Sequence, residues 1–332
     1  MSRIAVLGAG AWGTALAISL ARRGGHQLHL WAHSSALAQQ LHDGGENRVY
    51  LPGYILPMDV HVTNDLPRAI FEADIIVCVI PSQHVRSVFS HIAPLLTGNQ
   101  IILSASKGIE EGSFLRISQV IASVTENPFA VLSGPSFAQE VASGSPTAIV
   151  AAAEDIRLAQ TVQRDFSSPS MRIYTNDDVT GVELGGALKN VIALAAGVVK
   201  GLNLGHNSAA ALITRGIAEI TRLSVACGGR RQTLAGLSGV GDLILTCTGD
   251  LSRNRSVGIE LGRGRQLDDI LAGMGGKVAE GVRSTTAALG LAARYGVEMP
   301  IIEQVDAILH QHKKPADAIR DLMSRPGRNE LY

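Results

Sequence analysis

The feature that most constrains this chain lies near its start. A strand-like run, Ile4-Ala5-Val6-Leu7, feeds the glycine turn Gly8-Ala9-Gly10-Ala11-Trp12-Gly13, and a helix-like run follows over residues 14–22. Strand, GxGxxG turn and helix in that order make a pyrophosphate cradle. The first glycine permits the tight turn, the second lets the backbone approach a ligand, and the third lets helix and strand pack closely. The helix N-terminus adds unpaired N–H groups for an anion. Gly8, Gly10, Ala11, Trp12 and Gly13 are therefore expected to hold a dinucleotide.

A site selective for NAD carries an acid about 20 residues further on, bound to the ribose 2′-hydroxyl. Here the corresponding stretch reads Leu30-Trp31-Ala32-His33-Ser34-Ser35, without an acid. Nothing there repels a 2′-phosphate, and His33, Ser34 and Ser35 can donate hydrogen bonds to one. NADP(H), alone or alongside NAD(H), is the expected cofactor. His33 also reads as an ordinary surface histidine after a strand.

From residue 3 to about 175, short β-branched runs alternate with helical patterns, which predicts a doubly wound α/β fold around a parallel sheet. Strands are expected at residues 4–7, 28–31, 75–79, 101–103, 130–132, 148–151 and 172–174. Beyond Asn176 and Asp177 the pattern turns helical, with long apolar runs at 179–200, 208–227, 284–295 and 301–312. The expected architecture is an N-terminal Rossmann-type domain, residues 1–176, followed by an all-α domain, residues 177–332. No Pro/Ser-rich tether separates them, so the cleft between them is the expected ligand site.

Composition narrows the partners. The 29 basic and 29 acidic side chains of the 332 residues cancel, leaving no overall field toward nucleic acid or an anionic membrane. The most apolar stretch, residues 191–199, falls short of the roughly 20 residues of a membrane span. Cys78, Cys227 and Cys247 are odd in number and set in apolar runs, as suits buried thiols in a reducing, cytoplasmic compartment. There is no HExxH or CxxC pair, and His310 and His312 stand two apart on an expected helix, facing different ways, so no metal is assigned.

Reduction of a carbonyl requires a proton donor at the developing alkoxide. Lys189 qualifies: its i±3 and i±4 neighbours are Gly185, Gly186, Ile192 and Ala193, none a carboxylate. Such a lysine either snorkels to solvent or sits in a cleft where desolvation lowers its pKa. Asp242, in Gly239-Val240-Gly241-Asp242, can supply the missing countercharge. Arg253 and Asn254, adjacent in a polar loop, fit a phosphate or carboxylate, or a solvated basic loop, the reading given to Arg230, Arg231, Arg263 and Arg265. Lys107 follows the strand at 101–103, at the sheet edge where α/β folds bind ligands. Gly134-Pro135-Ser136 reads as a turn into a helix, with Ser136 and Gln139 forming a capping box at that same edge.

The ordered set GAGAWGTALA, SASKG, SGPSFAQE, GGALKNVIALAAG, GLSGVGDLILTCT, SRNR and VAEG spans nearly the whole chain. Together these motifs resemble the bacterial NAD(P)-dependent glycerol-3-phosphate dehydrogenases. The resemblance implies reversible reduction of dihydroxyacetone phosphate to sn-glycerol 3-phosphate for phospholipid synthesis, with Lys189 moving the proton. It implies substrate contacts at Lys107, Gly134, Ser136, Lys189, Asp242, Ser252, Arg253 and Asn254, with Arg253 and Asn254 on the phosphate. It also implies cofactor contacts at Ala11, Trp12, His33, Lys107, Ala138, Arg253, Val278 and Glu280, and a place for Thr246 in the active site. Ala11 departs from the hydroxyl residue of many relatives, so only its backbone N–H can serve the pyrophosphate. A homodimer is compatible with these residues, which do not set the assembly state. Rival readings are a ketopantoate or hydroxyacid dehydrogenase, in which Arg253 and Asn254 would lack a purpose, and a non-catalytic NADPH sensor, in which Lys189 would.

Overall fold

The computed structural model describes residues 2–274, 279–327 and 329–330. Eight strands form one sheet: β1 (Ser2–Leu7), β2 (His26–Trp31), β3 (Val60–Thr63), β4 (Ile75–Cys78), β5 (Ile101–Ser104), β6 (Phe129–Ser133), β7 (Thr147–Ala152) and β8 (Met171–Asn176). Their spatial order is β3-β2-β1-β4-β5-β6-β7-β8. The order reverses between β1 and β4, and at such a switch point the strands' carboxyl ends leave an open crevice. Central strands covered on both faces read as continuous apolar runs, and all four residues of β4 are buried.

The seven expected strands are present, and an eighth, β3, escaped the sequence. Its four residues, Val-His-Val-Thr, are too few and too polar to stand out, and it lies at the sheet edge beside β2. The sheet is not wholly parallel, since β7 runs antiparallel to β6. The connection between them, residues 134–146, is short and holds one six-residue helix, Ala138–Ser143, near the lower limit for a parallel crossover.

The second half is helical. Its central element is α1 (Val179–Gly201), which packs against α2 (His206–Ala226), α3 (Asp242–Thr248), α4 (Arg253–Gly262), α5 (Glu280–Arg294) and α6 (Pro300–His310). By length and composition α1 could cross a membrane, well beyond the apolar run read from the sequence, yet its apolar stretch is buried within the protein. Glycines bring α1 and α4 unusually close. A Cβ on Gly197 would lie 2.2 Å from the carbonyl oxygen of Arg255, and one on Gly258 2.1 Å from that of Leu194. That approach sets the start of α4 beside Lys189. The last expected helix ends earlier than the pattern suggested, at His310, and His312 lies past it at φ 54°. The three cysteines are free thiols. Burial pushes Cys78 up to about 11 and Cys247 up to about 12, so neither is a thiolate near neutrality.

Candidate functional site

A cleft of about 560 Å³ runs from the glycine turn at the carboxyl end of β1 to Lys189 and Asn190 on α1 and to the first residues of α4 and α5. The turn has the geometry an extended anion needs. Gly8 holds φ 122°, and a Cβ there would come 2.5 Å from the carbonyl oxygen of Val79, just past the end of β4. At Gly13 a Cβ would fall 1.9 Å from the Gly8 carbonyl oxygen, while one at Gly10 meets nothing within 4 Å. Two glycines are thus demanded by packing and the third opens onto the cleft, which fits a dinucleotide pyrophosphate against the following helix's N-terminus. The Trp12 indole Nε1 is buried without a partner among the described residues. Gly13→Ala is expected to destabilise the fold by about 1–3 kcal/mol through overpacking and to weaken NADPH binding, as thermal denaturation and cofactor titration would show.

His33 is exposed at the end of β2, its ring edge-on to Trp31 at 5.7 Å between centroids. Ser34 caps the next helix by accepting from the Leu37 N–H at 3.3 Å, which leaves its hydroxyl proton available. Tyr50 and His84 line the same end of the cleft and were not singled out in the sequence. No spacing rule marks them, because loops bring them there.

At the other end three charges meet. The Asp242 carboxyl has no solvent exposure. It accepts from the Lys189 ammonium through Oδ1 and from Lys107 Nζ at 2.7 Å through Oδ2. Lys107 Nζ also donates to the Gly134 carbonyl oxygen at 3.1 Å. Lys189 does not snorkel: it is 7% exposed. Burial lowers its pKa from 10.5 to about 8; the Asp242 charge works against that shift and the Lys107 charge with it. A lysine so placed holds a proton at neutral pH and releases it readily. A π-helical turn, Leu237–Gly241, leads into α3 and puts Asp242 at its first residue, a common device for aiming a functional group.

Arg253 and Asn254 form the first turn of α4, not the polar loop expected. Ser252 caps that helix, accepting from the Arg255 N–H at 3.3 Å. The cap side chain escaped the sequence because the polar run SRNRS has no apolar period. Asn254 is buried, and its Oδ1 accepts from the Gly281 N–H at 3.0 Å, which orients its amide nitrogen as the remaining donor. The exposed Arg253 guanidinium makes no hydrogen bond or ion pair with another described residue. Glu280, the first residue of α5, lines the cleft nearby; burial raises its pKa, opposed first by Arg253. Asn190 also lines the cleft, and its place beside Lys189 in the sequence was the signal that went unused.

The remaining expected residues are less central. The Ser136 hydroxyl donates to the Gly134 carbonyl oxygen at 2.9 Å instead of capping, since the next helix starts at Ala138 with Phe137 before it. Ser136 still lines the cleft, whereas Ala138 packs on the first-half core. Thr246 Oγ1 donates to the Asp242 carbonyl oxygen at 2.7 Å, bracing the helix that carries the carboxylate. Ser252 is buried as a cap, and Val278 lies outside the described residues.

Comparison with known proteins identifies the family of both halves. Residues 3–159 match the family model for the NAD-dependent glycerol-3-phosphate dehydrogenase N-terminus, and residues 178–320 match that for its C-terminus. The chain is 61% identical to the glycerol-3-phosphate dehydrogenase [NAD(P)+] of Acidobacterium capsulatum over 99% of this chain and 100% of the relative. It is 58% identical to that of Koribacter versatilis over all of both chains. Among solved structures, the glycerol-3-phosphate dehydrogenase of Coxiella burnetii superposes with a TM-score of 0.94 at 39% identity, covering 98% of this chain and 99% of that one.

Proposed function

Because the chain belongs to the NAD-dependent glycerol-3-phosphate dehydrogenase family, we propose that its cleft reduces dihydroxyacetone phosphate to sn-glycerol 3-phosphate, and the reverse, with NADP(H) or NAD(H). The reaction supplies the glycerol unit of phospholipids, in the cytoplasm. What carries this reading is the pair of lysines held on the buried Asp242, facing the cleft that an unpaired arginine also lines.

The bound dinucleotide supplies the hydride for the substrate C2 carbon. Lys189 Nζ delivers the proton to the oxygen that becomes the C2 hydroxyl, and takes it back in the reverse direction. Asp242 holds Lys189 in place and keeps its pKa from falling further, while Lys107, fixed on Asp242 and Gly134, positions the same oxygen. Arg253 and the Asn254 amide bind the phosphate. That assignment favours a phosphorylated substrate over ketopantoate. A sensor has no use for a proton donor held on a buried carboxylate.

Losing a charged hydrogen bond of about 1.5–3 kcal/mol predicts that Arg253→Ala raises KM for dihydroxyacetone phosphate about 10- to 150-fold. Unphosphorylated dihydroxyacetone, poor with the parent enzyme, should be equally poor with the variant. Equal KM values for parent and variant would remove Arg253 from the phosphate site.

At β2 the lack of an acid and the exposed His33 and Ser34 support use of NADPH. Initial rates with NADPH should equal or exceed those with NADH; a large NADH preference would contradict this.

A further inference from the structure

The protein has a second concavity besides the cleft. A concavity of about 980 Å³ lies on the opposite flank of the N-terminal half, around the edge strand β3. Its position follows from the fold. A five-residue helix, Leu66–Ile70, covers only the carboxyl-end part of this sheet face, so the amino-end part of β1, β2 and β3 stays open. The side chains there are Arg3 on β1, His29 on β2 and His61 on β3, with Arg68 reaching over from the short helix.

The charge of this groove is one-sided. Its lining holds two arginines and three histidines, the third being His42, and no aspartate or glutamate, in a chain whose charges otherwise cancel. His29 and His61 are register partners across β2 and β3, and their rings stand 5.2 Å apart. The acids that border it are already engaged: Asp43 lies 3.0 Å from His42 Nδ1, Glu72 lies 3.5 Å from one Arg3 nitrogen, and Asp74 and Asp65 accept from the backbone N–H groups of Arg3 at 2.8 Å and Arg68 at 3.0 Å. The Arg3 Nε stays buried without a hydrogen-bond partner among the described residues. Burial, together with the charges of Arg3, His61 and Arg68, holds His29 down at about 4. A histidine held neutral by burial and by the charges around it, beside two guanidinium groups, is a feature that an anion in the groove would relieve. The lining also carries two large apolar side chains open to solvent, Phe71 at 61% and Met58 at 101% exposed.

We propose that this groove is a second ligand site, which binds a small organic phosphate: its dianion on Arg3, His29, His61 and Arg68, and its apolar body against Phe71 and Met58. The site is separate from the catalytic cleft and shares none of its lining residues.

The test uses the full-length protein and phenyl phosphate as the probe, followed through the imidazole C–H signals of His29 and His61. These signals should shift saturably, and the His29 titration midpoint should rise when the groove is filled, since a bound anion favours the imidazolium. Arg68→Ala and His61→Gln, exposed or partly exposed positions, should each weaken the probe about tenfold, the equivalent of 1.4 kcal/mol. The shift should survive Arg253→Ala, which removes phosphate binding in the cleft. Inorganic phosphate should bind more weakly than phenyl phosphate. The proposal is overturned if the two signals fail to saturate, if Arg253→Ala abolishes their shift, or if inorganic phosphate binds as tightly as the ester.

Discussion

Lys189→Ala lowers kcat for dihydroxyacetone phosphate reduction about 10²- to 10⁴-fold, the usual contribution of a general acid, while NADPH still binds. The expectation follows from position. Lys189 is buried on α1 with its ammonium on Asp242, and the glycine turn proposed to hold the dinucleotide lies at the far end of the cleft. The pH dependence has a definite sign. Reduction needs the protonated lysine, and burial has brought its pKa down to about 8. The rate of reduction therefore falls as pH rises through about 8, whereas glycerol 3-phosphate oxidation, which needs the neutral amine, rises over the same range. A Lys189→Ala enzyme with near-parental kcat, or one that no longer binds NADPH, would remove the proton-transfer role.

The second large effect belongs to Asp242→Asn. Here one side chain serves two cations, since Lys189 and Lys107 both donate to it and it has no contact with solvent. Removing one member of such a buried cluster leaves charge unpaired, a cost of about 3–5 kcal/mol. Turnover should drop about 100-fold or more, within the range for losing a positioned acid–base group. The direction of the pH shift distinguishes this role from simple damage. Asp242 raises the Lys189 pKa and Lys107 lowers it, so without the carboxylate the reduction limb moves to lower pH. A thermal melt and a pH–rate profile on the same preparation separate the two effects. An unmoved limb would show that Asp242 does not tune Lys189.

Much of this was legible in the sequence, for physical reasons that differ by element. The strand, turn and helix at the N-terminus form a local unit whose glycines are fixed by close contacts, so spacing alone located it. Lys189 was visible as a charge stranded on an apolar helix, and its countercharge was anticipated at Asp242 because no carboxylate lay within a helical turn. Family resemblance, not pattern, supplied the substrate and the roles of Arg253 and Asn254. What stayed hidden is non-local. The π-turn that aims Asp242 has no sequence period, β3 is too short and polar to register, and the direction of β7 is set by pairing across the sheet, not by a local pattern. Ser136 shows the converse failure, a capping pattern overridden because its hydroxyl is taken by Gly134. The Lys107 bridge to Asp242 joins residues 135 positions apart, a contact that no local pattern announces.

The proposed function requires that this cleft pass hydride to a phosphorylated ketone and a proton from Lys189 to its oxygen. The direct measurement is loss of NADPH absorbance in the purified protein after addition of dihydroxyacetone phosphate, with the product quantified and ketopantoate run in parallel. The account predicts consumption of NADPH matched one-for-one by glycerol 3-phosphate, and none with ketopantoate. NADPH left unconsumed by dihydroxyacetone phosphate, or consumed with ketopantoate instead, would contradict it.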